Sequence, residues 1–201
     1  EGEIAIKNLV EAVNKIGPIG RLGQIILIDD YERIEFQAEC IPTENEINIL
    51  PAYHLIDVGD YSEKGTIGAF YCFKPENTKF ATILSNRGCR ARCTFCSVRN
   101  FNGKGVRQRS ISSVIEEIKF LTNECEISHI MWLDDDLLKD HDRAIGLFNA
   151  MVQNNLSVTW DATNGVIASS CTEEVIAAAS ESGCIAINIG SRTGRCIGNC
   201  I

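Results

Sequence analysis

The chain has 201 residues, 45% of them hydrophobic, and a formal net charge of -8. That supplies one core of ordinary size, offers no apolar run as long as the roughly 18 residues of a membrane span, and argues against a nucleic-acid binder held by phosphate contacts. Ten cysteines amount to about half the density of a disulfide scaffold, so free thiols in a reducing cytoplasm are expected.

The first segment, Ile4 to Ile16, is amphipathic and follows Glu1-Gly2-Glu3. Pro42 and Pro51 then break regular structure between short apolar runs, through Leu50-Pro51-Ala52-Tyr53-His54-Leu55. From residue 80 the pattern changes to alternating strands and helices. Phe80 to Leu84 reads as a short buried strand. A helix is expected over Ser112 to Asn123, with Ser113 and Glu116 as a capping box. Strands are expected at His129 to Leu133, Ser157 to Ala162 and Cys184 to Gly190. Helices are expected at His141 to Gln153 and Thr172 to Ser182. Such alternation predicts parallel βαβ units in an α/β fold, with chemistry at the C-terminal ends of the strands.

At the first such end lies Cys89-Arg-Ala-Arg-Cys93-Thr-Phe-Cys96. The spacing is C-x3-C-x2-C, and it holds three ligands. A cube of four irons held by three thiolates keeps one iron open for another molecule. A closed zinc site wants four protein ligands, which leaves zinc or chance clustering as the weaker alternatives. Residues 87 to 109 hold Arg87, Arg90, Arg92, Arg99, Lys104, Arg107 and Arg109 and no Asp or Glu. Cations there would balance an anionic cluster; the alternatives are solvated side chains or phosphate contacts. The other seven cysteines (Cys40, Cys72, Cys125, Cys171, Cys184, Cys196, Cys200) read as small hydrophobes. His54, His129 and His141 are assigned no metal.

A second strand end carries Trp132-Leu-Asp134-Asp135-Asp136. Adjacent carboxylates need a cation, a donor or water; a solvated loop or a helix N-cap is the plain alternative. After the third strand comes Trp160-Asp-Ala-Thr-Asn164-Gly165, whose Asn-Gly pair is also a common generic turn.

The cysteine spacing, with Phe95 before the last cysteine, resembles the radical S-adenosylmethionine superfamily. The resemblance implies a 4Fe-4S cluster on Cys89, Cys93 and Cys96, whose open iron chelates the amino and carboxylate groups of S-adenosylmethionine. It implies reductive cleavage to methionine and a 5′-deoxyadenosyl radical. Phe95 would pack beside the adenine, and Asp134, Asp135, Asp136 and Asn164 would bind the ligand's polar ends. Trp132, Asp134 and Asp135 are similar to the aromatic-x-Asp-Asp pattern of one large branch. The Gly2-Glu3 start and the Pro51-Ala-Tyr53 linker resemble the cobalamin-linked class, which includes methyltransferases and a magnesium-protoporphyrin ester cyclase. Cobalamin is then expected in a full-length parent.

The implied organisation is a remnant of a cobalamin-binding α/β domain over 1–40, a linker over 41–79, the first part of a TIM-like barrel with about four parallel strands over 80–190, and an atypical tail over 191–201. Arg192 stands where the resemblance has a glutamate. About 120 residues follow position 80, where a closed barrel needs roughly 200. A fragment or altered gene product is therefore expected, and a non-catalytic iron–sulfur fragment or a methylthiotransferase-like protein are the alternatives. A small-molecule substrate and an electron donor of flavodoxin or ferredoxin type are expected partners, and nucleic acid is not.

Overall fold

Four short apolar runs become four parallel strands in one sheet, side by side in chain order. The structure is a computed structural model, and it describes residues 2–14, 41–64 and 77–189. In chain order the elements are α1 (Glu3–Val13), α2 (Glu44–Ile47), α3 (Val58–Lys64), β1 (Phe80–Ile83), β2 (Asn86–Arg87), α4 (Val98–Phe101), β3 (Arg107–Gln108), α5 (Ile111–Glu124), β4 (His129–Trp132), α6 (His141–Gln153), β5 (Thr159–Val166), α7 (Glu173–Glu181) and β6 (Cys184–Ile189). The α/β class and the four parallel strands of a partial barrel are as the sequence implies.

Register is set by burial on both faces of the sheet. Phe80 pairs with His129 and Ile83 with Trp132, while His129 pairs with Thr159 and Met131 with Asp161. One face carries Ala81, Ile83, Ile130, Trp132, Trp160 and Ala162 against Ile118, Leu121, Leu147, Phe148 and Val175 of the helices. Trp160 is its centre. Its ring stacks on Phe148 at 4.9 Å and meets Trp132 edge-on at 6.2 Å. Its Nε1 donates to Ser182 O at 3.1 Å, so a buried donor is satisfied.

The opposite face is polar at its centre, since side chains alternate along a strand. His129 Nε2 lies 2.8 Å from Asp161 Oδ2, and His129 Nδ1 lies 2.8 Å from Thr159 Oγ1. Thr163 Oγ1 donates to Asp161 Oδ1. Each nitrogen of His129 and each oxygen of Asp161 therefore has a partner. Both ring nitrogens of His129 are engaged inside the sheet, and the residue ties β4 to β5.

Three features depart from the sequence reading. Helix α5 begins one residue earlier, at Ile111, and its N-cap is Ser110, which accepts from Ser113 N; the Ser113–Glu116 capping box does not form. Strand β5 runs through Asn164-Gly165 rather than ending before it. Gly165 adopts φ +88°, and the register against β6 shifts between Ala162 and Val166, which is how a bulge admits a residue pair that otherwise reads as a turn. The third is the antiparallel pairing of β2 with β3, two residues each and too polar to stand out in the sequence.

The linker is fastened to the core. Tyr53 stacks on Phe120 at 5.8 Å and donates to Glu117 Oε1 at 2.5 Å. Thr43 and Glu46 form the capping box of α2. Tyr53→Phe should cost about 1.5–3 kcal/mol, the value of a hydrogen bond to a charged group, read from denaturant unfolding. The domain boundaries at 40 and 190, Arg192 and the tail, and Cys40, Cys72, Cys196 and Cys200 lie outside the described residues. Among those described, no helix is long and apolar enough to cross a membrane.

Candidate functional site

The cysteine loop rises from the C-terminal end of β1 and is bracketed by β2 and β3. Its entry depends on Gly88, which sits at φ +88°. A Cβ there would lie 2.3 Å from Gly105 O, so only glycine lets the two turns of the loop approach. Cys89 and Cys93 are half-buried and Cys96 is exposed. Ala91 N donates to Cys89 Sγ at 3.3 Å, and Cys96 N to Cys93 O at 3.2 Å. Burial pushes the Cys89 thiol pKa up, and the charges of Asp136 and Asp135 push it further. Phe95 stands out from the loop at 87% exposure.

Asp134, Asp135 and Asp136 follow β4 and face this loop. Asp134 accepts from Ser85 N at 2.9 Å, Ser85 Oγ at 2.6 Å and Asn86 N at 2.7 Å. Asp135 Oδ2 accepts from Gly88 N at 3.0 Å and Asn102 Nδ2 at 2.6 Å. Asp136 Oδ2 accepts from Arg90 N at 3.3 Å and pairs with Arg90 Nε at 3.1 Å. Three consecutive carboxylates thus receive main-chain N–H groups at 85, 86, 88 and 90, and fix the loop's entry. Asp134 is buried, and burial pushes its carboxyl up to about 6 against the hydrogen bonds from Ser85 and Asn86 and the Arg143 charge. Burial also raises the Asp136 carboxyl. Asp136 Oδ1 is buried and has no hydrogen-bond partner.

Asn164 reaches the same place from β5. Its Nδ2 donates to Leu133 O at 3.2 Å and to Asp134 O at 3.3 Å. The sequence-predicted cysteines, aspartates and Asn164 are therefore gathered at one end of the sheet, with Phe95 at the outer edge.

The cations divide. Arg109 is buried, pairs with Glu117, and donates to Leu84 O at 3.0 Å. Arg107 Nη1 donates to Pro42 O at 2.7 Å, and Arg87 pairs with Glu3 at 2.5 Å. These three hold the loop's base, the linker and α1 together. Arg92 and Lys104 are exposed. Arg143, which the sequence did not single out, donates to Ser85 O at 3.1 Å and Arg109 O at 2.7 Å. It lies on α6 and carries no motif, so only its position identifies it.

The donor set suits an iron–sulfur cube. Thiolates are soft ligands, and a cube takes one thiolate at each of three corners. A closed zinc site would ask for four protein ligands, and the loop supplies three cysteines. Cys125, Cys171 and Cys184 pack against the core as small hydrophobes, and burial pushes Cys184 up to about 12.

The family described as the Radical SAM superfamily matches residues 83–195, more than half of the chain. The chain belongs to the radical SAM superfamily. A protein of Pyrococcus horikoshii named Uncharacterized methyltransferase PH0819 is 31% identical over 191 residues, covering 94% of this chain and 38% of that protein. The cobalamin-dependent S-adenosylmethionine radical enzyme OxsB, solved with aqua-cobalamin and S-adenosylmethionine bound, superposes with a TM-score of 0.72 at 20% identity, over 96% of this chain and 27% of OxsB. The radical S-adenosylmethionine methyltransferase TsrM of Kitasatospora setae superposes with a TM-score of 0.64 at 19% identity, over 94% of this chain and 36% of TsrM. The structural likenesses establish the fold. The radical SAM chain described here spans less than half the length of each of these proteins.

Proposed function

We infer that this chain is the cluster-bearing part of a radical S-adenosylmethionine enzyme of the cobalamin-dependent methyltransferase class. One observation carries the reading: a three-thiol loop pinned by Asp134, Asp135 and Asp136 at the C-terminal ends of parallel strands. Cys89, Cys93 and Cys96 hold the 4Fe-4S cluster. When bound, that cluster supplies the electron that cleaves S-adenosylmethionine to methionine and a 5′-deoxyadenosyl radical. The protein supplies orientation and electrostatics.

The three aspartates divide the work. Asp134 and Asp135 are occupied with Ser85, Asn86, Gly88 and Asn102 and shape the loop. Asp136 keeps an unmet acceptor, Oδ1, and receives the ligand's ammonium. Asn164 holds the β4 turn from the side through its Nδ2 and presents its Oδ1 as an acceptor to the ligand's ribose hydroxyls. Phe95, free of protein packing, folds over the adenine.

The whole protein acts on a small molecule and binds cobalamin in a neighbouring domain, a reading supported by the names of the similar methyltransferases and by the cobalamin in OxsB. The electron comes from an acidic carrier of flavodoxin or ferredoxin type. Arg92 and Lys104 give it a local basic landing site on a chain of net charge -8. Free thiols and an oxygen-labile cluster suit the cytoplasm.

Anaerobic reconstitution with iron and sulfide, followed by dithionite and S-adenosylmethionine, tests the reading. Formation of 5′-deoxyadenosine is expected, and Cys93→Ala should abolish it together with iron uptake. Stoichiometric zinc with no iron uptake by the wild type would sink the reading.

A further inference from the structure

Between Cys89 and Cys93 lies a side chain with more partners than its exposure requires. Arg90 meets Asp136 twice on one oxygen, through N at 3.3 Å and Nε at 3.1 Å from Oδ2. A guanidinium facing a carboxylate ordinarily pairs two N–H groups with both oxygens. Here its outer arms are held elsewhere. Nη1 donates to Lys139 O at 3.1 Å, and Nη2 donates to Ser170 Oγ on the turn after β5. The guanidinium is stretched across the loops that follow β1, β4 and β5, and cannot swing to cover Asp136 Oδ1. The Asp136 side chain is only 1% exposed, yet that oxygen has no partner. A buried carboxylate oxygen without a donor is costly, and a cationic donor from a ligand would relieve the cost.

We propose that Arg90 is a positioning residue for the α-amino group of the bound ligand: its tethers to Lys139 and Ser170 keep Asp136 turned with Oδ1 bare. The inference rests on the radical S-adenosylmethionine reading and assigns a role within it to a residue that is not itself a cluster ligand. Lysine would not substitute, because one ammonium on a flexible stem lacks the planar fork that reaches three segments at once. Ser170 acts through Arg90, so Ser170→Ala should weaken the effect without removing the charge.

The test compares binding of S-adenosylmethionine with binding of an analogue lacking the α-amino group, by calorimetry on anaerobically reconstituted protein. Wild type should prefer the amino compound. Arg90→Ala should lose affinity for it on the order of tenfold, as for one charge-assisted hydrogen bond, and should bind the analogue as wild type does. Iron and sulfide content should not change. Arg90→Lys should behave like Arg90→Ala, and Ser170→Ala should show a smaller loss for the amino compound alone. If Arg90→Ala fails to load iron, Ser170→Ala carries the comparison, and equal wild-type and Ser170→Ala affinities would then overturn the inference. An Arg90→Ala protein that keeps the wild-type preference overturns it, and so does a parallel loss for both compounds. If cluster-loaded wild type binds neither compound, the functional reading falls first and this inference with it.

Discussion

His129→Ala should destabilise the fold by about 3–5 kcal/mol, the cost of removing one partner from a buried pair. The His129 and Asp161 side chains are 0% and 1% exposed. Asp161 would retain Thr163 and lose the imidazole at Oδ2. For a chain of this size the thermal midpoint should fall by roughly 10 °C, measured by circular dichroism on the iron-free protein. The pair lies across β4 and β5, whose ends carry Asp134 and Asn164, so its loss loosens the platform beneath the site. Breaking the pair and replacing it are different experiments. The double variant His129→Phe/Asp161→Leu removes both ionisable groups and strands only threonine hydroxyls, chiefly that of Thr163, which cost less to bury unpaired than a carboxylate, so it should be less destabilised than His129→Ala. A His129→Ala midpoint within about 2 °C of wild type, less than the effect of one kcal/mol, would show that the pair contributes little.

This buried pair illustrates what the sequence made legible and what it hid. Strands were readable where apolar residues run without interruption, as in Ile130-Met131-Trp132, because both faces of a parallel sheet are buried. Helices were readable from one-sided periodicity, as at Val114, Ile118 and Leu121, all fully buried. His129 and Asp161 gave no signal, since they are 32 positions apart and each alone reads as a stray polar residue. The site divides the same way. The cysteine spacing is local, and its chemistry follows from ligand count. The three aspartates were placed correctly at a strand end, but their work was not legible. Their donors at Ser85, Gly88 and Arg90 lie 46 to 49 positions upstream, and only the β1–β4 pairing brings them together. The Ser113 cap was misread for a related reason. Ser110 is fixed by the linker's Asn48, whose Oδ1 accepts from Ser110 N at 3.0 Å, and a contact at that distance in sequence decides where the helix begins.

Asp134→Asn should have two linked effects, one on pH dependence and one on the cluster. Burial raises the Asp134 carboxyl from its ordinary 3.8 to about 6. The folded state therefore binds a proton more readily than the unfolded state between these values. Where the folded state holds the extra proton, stability falls as pH rises. The contribution is complete below pH 3.8 and lost as pH passes about 6, and its size is about 3 kcal/mol. Asparagine cannot titrate, so denaturant unfolding of the variant should decline less than wild type across pH 4–6. Asp136, also raised by burial, is present in both proteins and cancels in the comparison. The second effect opposes the first. The carboxylate receives Ser85 N, Ser85 Oγ and Asn86 N, and asparagine turns one acceptor oxygen into an NH2 donor against those donors. At least one buried N–H or O–H at the loop's entry then loses its partner, at about 1–3 kcal/mol. The loop carrying Cys89 should open more often, and the reconstituted variant should release iron to a chelator on the order of tenfold faster. Asp135→Asn should be milder, because it receives two donors rather than three. An Asp134→Asn protein that keeps the wild-type decline and retains iron equally well would mean that the carboxylate neither titrates in this window nor holds the loop.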